Sequence, residues 1–114
     1  MAIESFNNLD DIKATFIIKD NDGVVIPYLE FDWELQLFTI DTHILSVTCT
    51  NGVLSSNAKL NGTILTVCTD AFNWGCNGTV NAKFLASFPD TDFTDGKQDC
   101  SSVPTLMDYK IVNV

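Results

Sequence analysis

Three aspartates in Phe88-Pro89-Asp90-Thr91-Asp92-Phe93-Thr94-Asp95-Gly96 have the type and spacing best suited to chemistry. Calcium takes several carboxylate and carbonyl oxygens from a single loop, and Asp90, Asp92 and Asp95 offer three carboxylates in one turn. The pattern D-x-D-x-x-D-G lacks the closing glutamate of an EF-hand, so the same residues also read as a solvated turn capped by aspartate. A second acidic turn, Asp20-Asn21-Asp22-Gly23, could join the first in space. Apart from calcium at Asp90, Asp92 and Asp95, the sequence asks for no cofactor.

Phe72 and Trp74-Gly75-Cys76 put aromatics into a loop. Loop aromatics stack on sugar rings or anchor protein interfaces, and they equally fold over the end of a core as a plug. Pro27 and Tyr28, in a segment read as an edge strand, join Phe72 and Trp74 as candidate interface residues. His43 is the single histidine, with no serine or cysteine beside it in sequence to form a nucleophile pair. Asp32 and Glu34 alternate along a strand, where like charges usually just face water. Cys49, Cys68, Cys76 and Cys100 match no zinc spacing. They permit two disulfides in three pairings, but no secretory signal supports them, and free thiols are the favoured reading. Asn61-Gly62-Thr63 and Asn77-Gly78-Thr79 fit the glycosylation pattern but serve here as turn chemistry.

These residues need a frame, and composition limits it. A chain of 114 residues is one domain, large enough to bury a core without a metal or disulfide. The formal net charge is −9, from 15 acidic residues against 6 basic ones, all lysine. That balance excludes nucleic acid and disfavours anionic membranes as partners, because both need a cationic surface. No apolar run approaches the ~20 residues of a membrane helix.

The strongest structural signal is F-D-W-E-L-Q-L-F-T over 31–39. Phe31, Trp33, Leu35 and Leu37 alternate with Asp32, Glu34, Gln36 and Phe38. A period of two puts the first set on the core face of a strand and a mainly polar set on the other. Further strands are expected over 13–19, 24–29, 44–50, 56–60, 63–69, 79–88, 97–104 and 107–114. Pro27 and the polar character of 97–104 mark the weaker ones. Asn51-Gly52 and Asn61-Gly62 predict hairpin turns. About eight strands without a long helical period predict an all-β, two-sheet sandwich over 12–114. Residues 1–11 are expected to form a flexible arm. Exposed edges near 24–29 and 107–114, that arm and the 70–78 loop would supply contacts.

The order of these motifs resembles a family. The D-x-D-G hairpin, F-D-W-E-L-Q-L-F-T, the N-G hairpin, the Gly-Cys-Asn-Gly loop and F-P-D-T-D-F-T-D-G succeed one another as in small β-sandwich proteins of tailed phages. The likeness is to the structural gene modules of phages and prophages of gut Bacteroidales, including crAss-like phages. It is also similar to the immunoglobulin-like N-terminal domain of phage baseplate and tail-fibre proteins, and it spans residues 12–114. The resemblance implies an immunoglobulin-like antiparallel sandwich without catalytic residues. It further implies a virion part, assembled in the host cytoplasm, that docks fibres, decorates heads or bridges symmetric components. Its partners would be other virion proteins and copies of itself in a homo-oligomer or symmetric assembly. With no fibre segment appended, an adaptor, anchor or decoration role is expected. The alternative is a carbohydrate-binding module using Trp74, Phe72 and calcium at Asp90, Asp92 and Asp95. A hydrolase finds no nucleophile, base and oxyanion donors in the sequence.

Overall fold

A computed structural model describes residues 4–102 and 105–114. Met1–Ile3, Val103 and Pro104 lie outside the described residues, and with them the start of the expected arm and the end of the strand expected over 97–104. The chain is all-β. Its strands are β1 (Glu4–Phe6), β2 (Ile12–Phe16), β3 (Asp32–Ile40), β4 (His43–Thr50) and β5 (Val53–Leu54), then β6 (Ala58–Asn61), β7 (Ile64–Thr69), β8 (Gly78–Pro89), β9 (Lys97–Ser101) and β10 (Thr105–Ile111).

Two sheets form a β-sandwich-like pair. The larger runs β1-β10-β8-β3-β4-β5, and β9 pairs with β8 beyond the end of β10; the smaller runs β2-β7-β6. β3 is central because its alternation serves both neighbours. Trp33 sits between Cys49 of β4 and Ala86 of β8, and Leu35 between Val47 and Phe84. Trp33, Leu35 and Leu37 are buried, while Asp32, Glu34 and Gln36 are half-buried on the outer face. From the smaller sheet, Ile12, Ala58, Leu65 and Val67 join them in one core cluster. Asn51 and Gly52 both take positive φ, 51° and 77°, which is the primed hairpin geometry that Asn-Gly favours.

Four expectations are corrected. The segment 24–29 is not a ladder strand: it makes one isolated bridge, Lys19 with Val25, and then turns. Pro27 has no N–H to donate, and the Tyr28 hydroxyl rather than a backbone carbonyl accepts from Ile18 N–H at 2.8 Å. The expected arm is only partly an arm, since Glu4–Phe6 pairs parallel to β10 through Glu4↔Tyr109 and Phe6↔Ile111. Phe6 packs its ring against Tyr109 in a tilted contact at 5.8 Å, giving this short strand an apolar hold. For the same reason the edge near 107–114 is covered by β1 rather than open. With ten strands among the described residues, the count exceeds eight because β1 and the two-residue β5 are too short to show a period.

Candidate functional site

The four hairpin-like connections β2–β3, β4–β5, β6–β7 and β8–β9 all emerge at one end of the sandwich, as the pairings require. The β2–β3 connection is held by backbone-directed side chains. Asp20 Oδ1 accepts from the N–H groups of Asp22 and Val24 at 2.9 and 3.0 Å, closing its turn. The Tyr28 hydroxyl donates to the Thr63 carbonyl at 3.0 Å, tying this connection to the β6–β7 turn, and Trp33 Nε1 donates to the Tyr28 carbonyl at 2.8 Å. In the β8–β9 turn, Asp90 Oδ1 accepts from Asp92 N–H at 2.9 Å and Asp95 Oδ1 from Lys97 N–H at 3.1 Å. Asp32 Oδ1 accepts from Asn51 N–H at 3.0 Å and fixes the β4–β5 turn against β3.

Between these connections lies a cavity of about 330 Å³, with Leu29, Glu30, Asn51, Gly52, Pro89 and Lys97 in its wall. Phe31 and Phe88 stack at 4.7 Å on its flank. Asp32 and Ser87 are shared with a second cavity of about 500 Å³, a trough on the outer face of β4, β3, β8 and β9. Glu34 and Asp99 line that trough. Glu34 Oε2 accepts from Ser46 Oγ at 2.7 Å, and Asp99 Oδ1 from Ser87 Oγ at 2.8 Å. Cys49 faces the core; burial pushes its thiol above the ordinary value, opposed by a hydrogen bond from the Gly52 backbone and reinforced by the Asp32 charge. A buried thiol of that kind is chemically inert.

The same end carries large apolar side chains in water. Ile17, Val24 and Leu29 come from the β2–β3 connection, Val53 from β5, Ile64 from β7, and Phe88 and Phe93 from the β8–β9 region; all are exposed. Around them, residues 19–32 and 90–97 hold seven carboxylates and two lysines. Exposed apolar side chains and a majority of carboxylates thus share this end of the sandwich.

The residues singled out from the sequence divide between the two ends. Tyr28 lies at the loop end but is only 4% exposed, so it braces the site rather than contacting a partner. Pro27 is exposed there. Phe72 and Trp74 are at the opposite end, in the β7–β8 connection. Trp74 is 1% exposed and Phe72 meets it edge-on at 4.8 Å, so Trp74 is a plug and offers no face for a sugar. Asn8 Oδ1 accepts from Trp74 N–H at 2.7 Å, and Thr39 Oγ1 donates to the Cys76 carbonyl at 2.8 Å, fastening the plug from the β1–β2 connection and from the end of β3. Asp90 and Asp95 cap their own turn, and among the described residues no three metal-ligating side chains come together. All four cysteines are free thiols. What sequence reasoning missed is Leu29, Val53, Phe88 and Phe93 as a group: four side chains from three chain segments carry no shared spacing.

His43 lies against Gly75, whose φ is +77° and where an added Cβ would collide with the imidazole ring. Gly23 has a similar φ of +79° with nothing within 4 Å. Gly75→Ala is therefore expected to cost about 1–2 kcal/mol from backbone strain, plus displacement of His43. Thermal melts should show a larger loss for Gly75→Ala than for Gly23→Ala.

Fold and site together define a two-sheet all-β module with a loop-lined cavity at one end. No family model, no curated protein and no solved structure matches the chain.

Proposed function

We propose that this chain is a non-catalytic assembly module that grips a protein partner with its loop end, and that it serves as a structural part of a bacteriophage virion. The single observation carrying the binding reading is that Leu29, Val53, Phe88 and Phe93, all exposed, lie in or beside the connections of one end, where a cavity lined by Leu29, Asn51, Pro89 and Lys97 opens. Burying such side chains contributes about 25 cal/mol per Å² of apolar area.

Strand order supports an immunoglobulin-like reading. In variable-type domains the order B-E-D faces G-F-C-C′-C″, and the B–C, C′–C″ and F–G loops form the binding end. Here β2-β7-β6 faces β10-β8-β3-β4-β5, and the corresponding connections are residues 17–31, 51–52 and the segment between β8 and β10, which begins with the 90–96 turn and contains β9. Trp33 on β3 occupies the place of the buried strand-C tryptophan. The antibody disulfide has no counterpart, since neither β2 nor β8 contains cysteine.

The virion role rests on the succession of motifs shared with phage structural modules, and the adaptor, anchor or decoration role on the same likeness. The partner is a virion protein whose contact face has apolar groups and basic groups to meet the carboxylates of the loop end. The experiment is mass spectrometry of purified particles from a phage or prophage encoding the chain. Wild-type protein is expected in the particles, Leu29→Asp/Phe93→Asp is expected to be lost from them while still folded, and Phe72→Ala is expected to stay. Absence of the wild type overturns the virion reading. Retention of the double variant overturns the loop-end site.

A further inference from the structure

The larger sheet has one edge of useful length that nothing covers. β1 closes the outer side of β10, but among the described residues β9 pairs only with β8. All five of its residues are exposed.

Which backbone groups are unpaired follows from the ladder. Ser102 N–H donates to the Phe84 carbonyl at 2.8 Å, and Asp90 N–H to the Gly96 carbonyl at 2.9 Å. Hydrogen-bonded pairs alternate along an antiparallel ladder. In the register Ala86↔Cys100 and Phe88↔Gln98, the backbones of Gln98 and Cys100 therefore turn toward β8. Those of Lys97, Asp99 and Ser101 turn outward; Lys97 N–H is taken by Asp95 Oδ1 at 3.1 Å, which leaves the Lys97 C=O and the N–H and C=O groups of Asp99 and Ser101 to an incoming strand. The Asp99 side chain lies on the outer face of the sheet, where Ser87 Oγ donates to it, and Lys97 shares that face by the period of two.

An antiparallel copy of β9 fits this edge about one axis in particular. We propose that β9 pairs with β9 of a second copy of this chain, across a two-fold axis between Gln98 and Gln98 of the partner subunit. Outward-facing Lys97 then opposes Asp99 of the partner subunit, and Asp99 opposes the partner's Lys97. Each of these is a hydrogen-bonded pair: Asp99 N–H donates to the partner's Lys97 carbonyl and the Lys97 carbonyl accepts from the partner's Asp99, giving two backbone hydrogen bonds while each Lys97 N–H stays on its own Asp95 Oδ1. The four charged side chains alternate in sign on one face, and opposite charges directly across a strand pair are favourable. Gln98 faces its own copy, and an amide is both donor and acceptor.

Among the described residues no other open edge has this self-complementarity: β1, itself the outer strand beside β10, is three residues long with a single charge, Glu4. β2 and β6 each carry one charged residue, Lys13 and Lys59, so a two-fold pairing of either offers no opposite charge. β5 is two apolar residues long. A chain of net charge −9 repels its copies in general, which makes the local Lys97–Asp99 match decisive. This proposal stands on the β9 edge and is independent of the loop-end site.

Sedimentation equilibrium on the whole chain, up to about 1 mM where weak association registers, is the test. Wild type is expected to pass from monomer to dimer as concentration rises. Lys97→Glu and Asp99→Lys each set like charges in both pairs and are expected to weaken the dimer about tenfold. The double variant Lys97→Glu/Asp99→Lys restores opposite charges and is expected to recover most of the affinity. A wild type monomeric throughout, or a double variant no tighter than the singles, overturns the proposal. A covalent arm checks the register. In a Cys76→Ser/Cys100→Ser background, Gln98→Cys should form a disulfide-linked dimer on mild oxidation, since non-hydrogen-bonded partners have Cα atoms about 4.5 Å apart. Ser101→Cys in the same background should not. Failure of the Gln98→Cys link, or an equal yield from Ser101→Cys, overturns it.

Discussion

Trp74→Ala is expected to destabilise the domain by about 3–5 kcal/mol, the range for truncating a fully buried large aromatic. The indole is 1% exposed and shares its surroundings with Ile12, Leu37, Val80 and Tyr109, so its loss opens a cavity between the sheets. Phe72 loses the ring it meets edge-on, while the hydrogen bonds of Asn8 and Thr39 to the Trp74 backbone are left holding a segment without its core anchor. Trp74 Nε1 is a buried donor with no acceptor, which is unfavourable in itself. Trp74→Phe removes that donor together with part of the volume, so it is expected to stay within about 2 kcal/mol of wild type. Urea unfolding of the two variants separates a plug from a contact residue. An exposed contact would give two nearly unchanged midpoints.

Trp74 also marks where the sequence stops being legible. An aromatic in a loop with glycine and cysteine reads alike whether it points into solvent or into the core. Only the arrival of the β1–β2 connection and the end of β3 beside it decides, and no local pattern encodes that arrival. Tyr28 has the same history: its hydroxyl reaches Ile18 and Thr63, which no spacing announces. By contrast β3, β4 and β8 were readable because one buried face imposes a period of two on each, and the Asn-Gly turns because positive φ restricts residue choice. β1 was invisible because three residues cannot show a period. The loop-end surface was invisible because its apolar residues are isolated in sequence and come to one end only when four chain reversals are stacked. The aspartates of the 88–96 segment were legible as turn formers and as ligands alike. The Oδ1 atoms of Asp90 and Asp95 accept from backbone N–H groups of their own turn, as the first reading expects.

Trp33 offers the second large effect and a finer dissection. It lies on the central strand at 4% exposure, 5.5 Å from Phe84 and 6.2 Å from Tyr28. Its Nε1 is the donor that satisfies the Tyr28 carbonyl. Trp33→Ala removes the packing and the hydrogen bond together, and about 3–5 kcal/mol is expected. A domain of this size holds about 5–15 kcal/mol in all, so the variant is expected to melt near or below ambient temperature if the wild type sits low in that range. Trp33→Phe keeps a ring in the core but orphans the carbonyl, for about 1–3 kcal/mol. The loss should extend to the β2–β3 connection, because Tyr28 carries both that carbonyl and the hydroxyl that braces Ile18 and Thr63. Amide exchange at Ile18 should therefore accelerate in Trp33→Phe ahead of global unfolding. On the other face of the same strand, Glu34→Ala removes acceptors for Ser46 and Gln36 at the surface and is expected to change stability by less than about 0.5 kcal/mol. A tolerated Trp33→Ala alongside a damaging Glu34→Ala would mean that β3 presents the opposite face to the core.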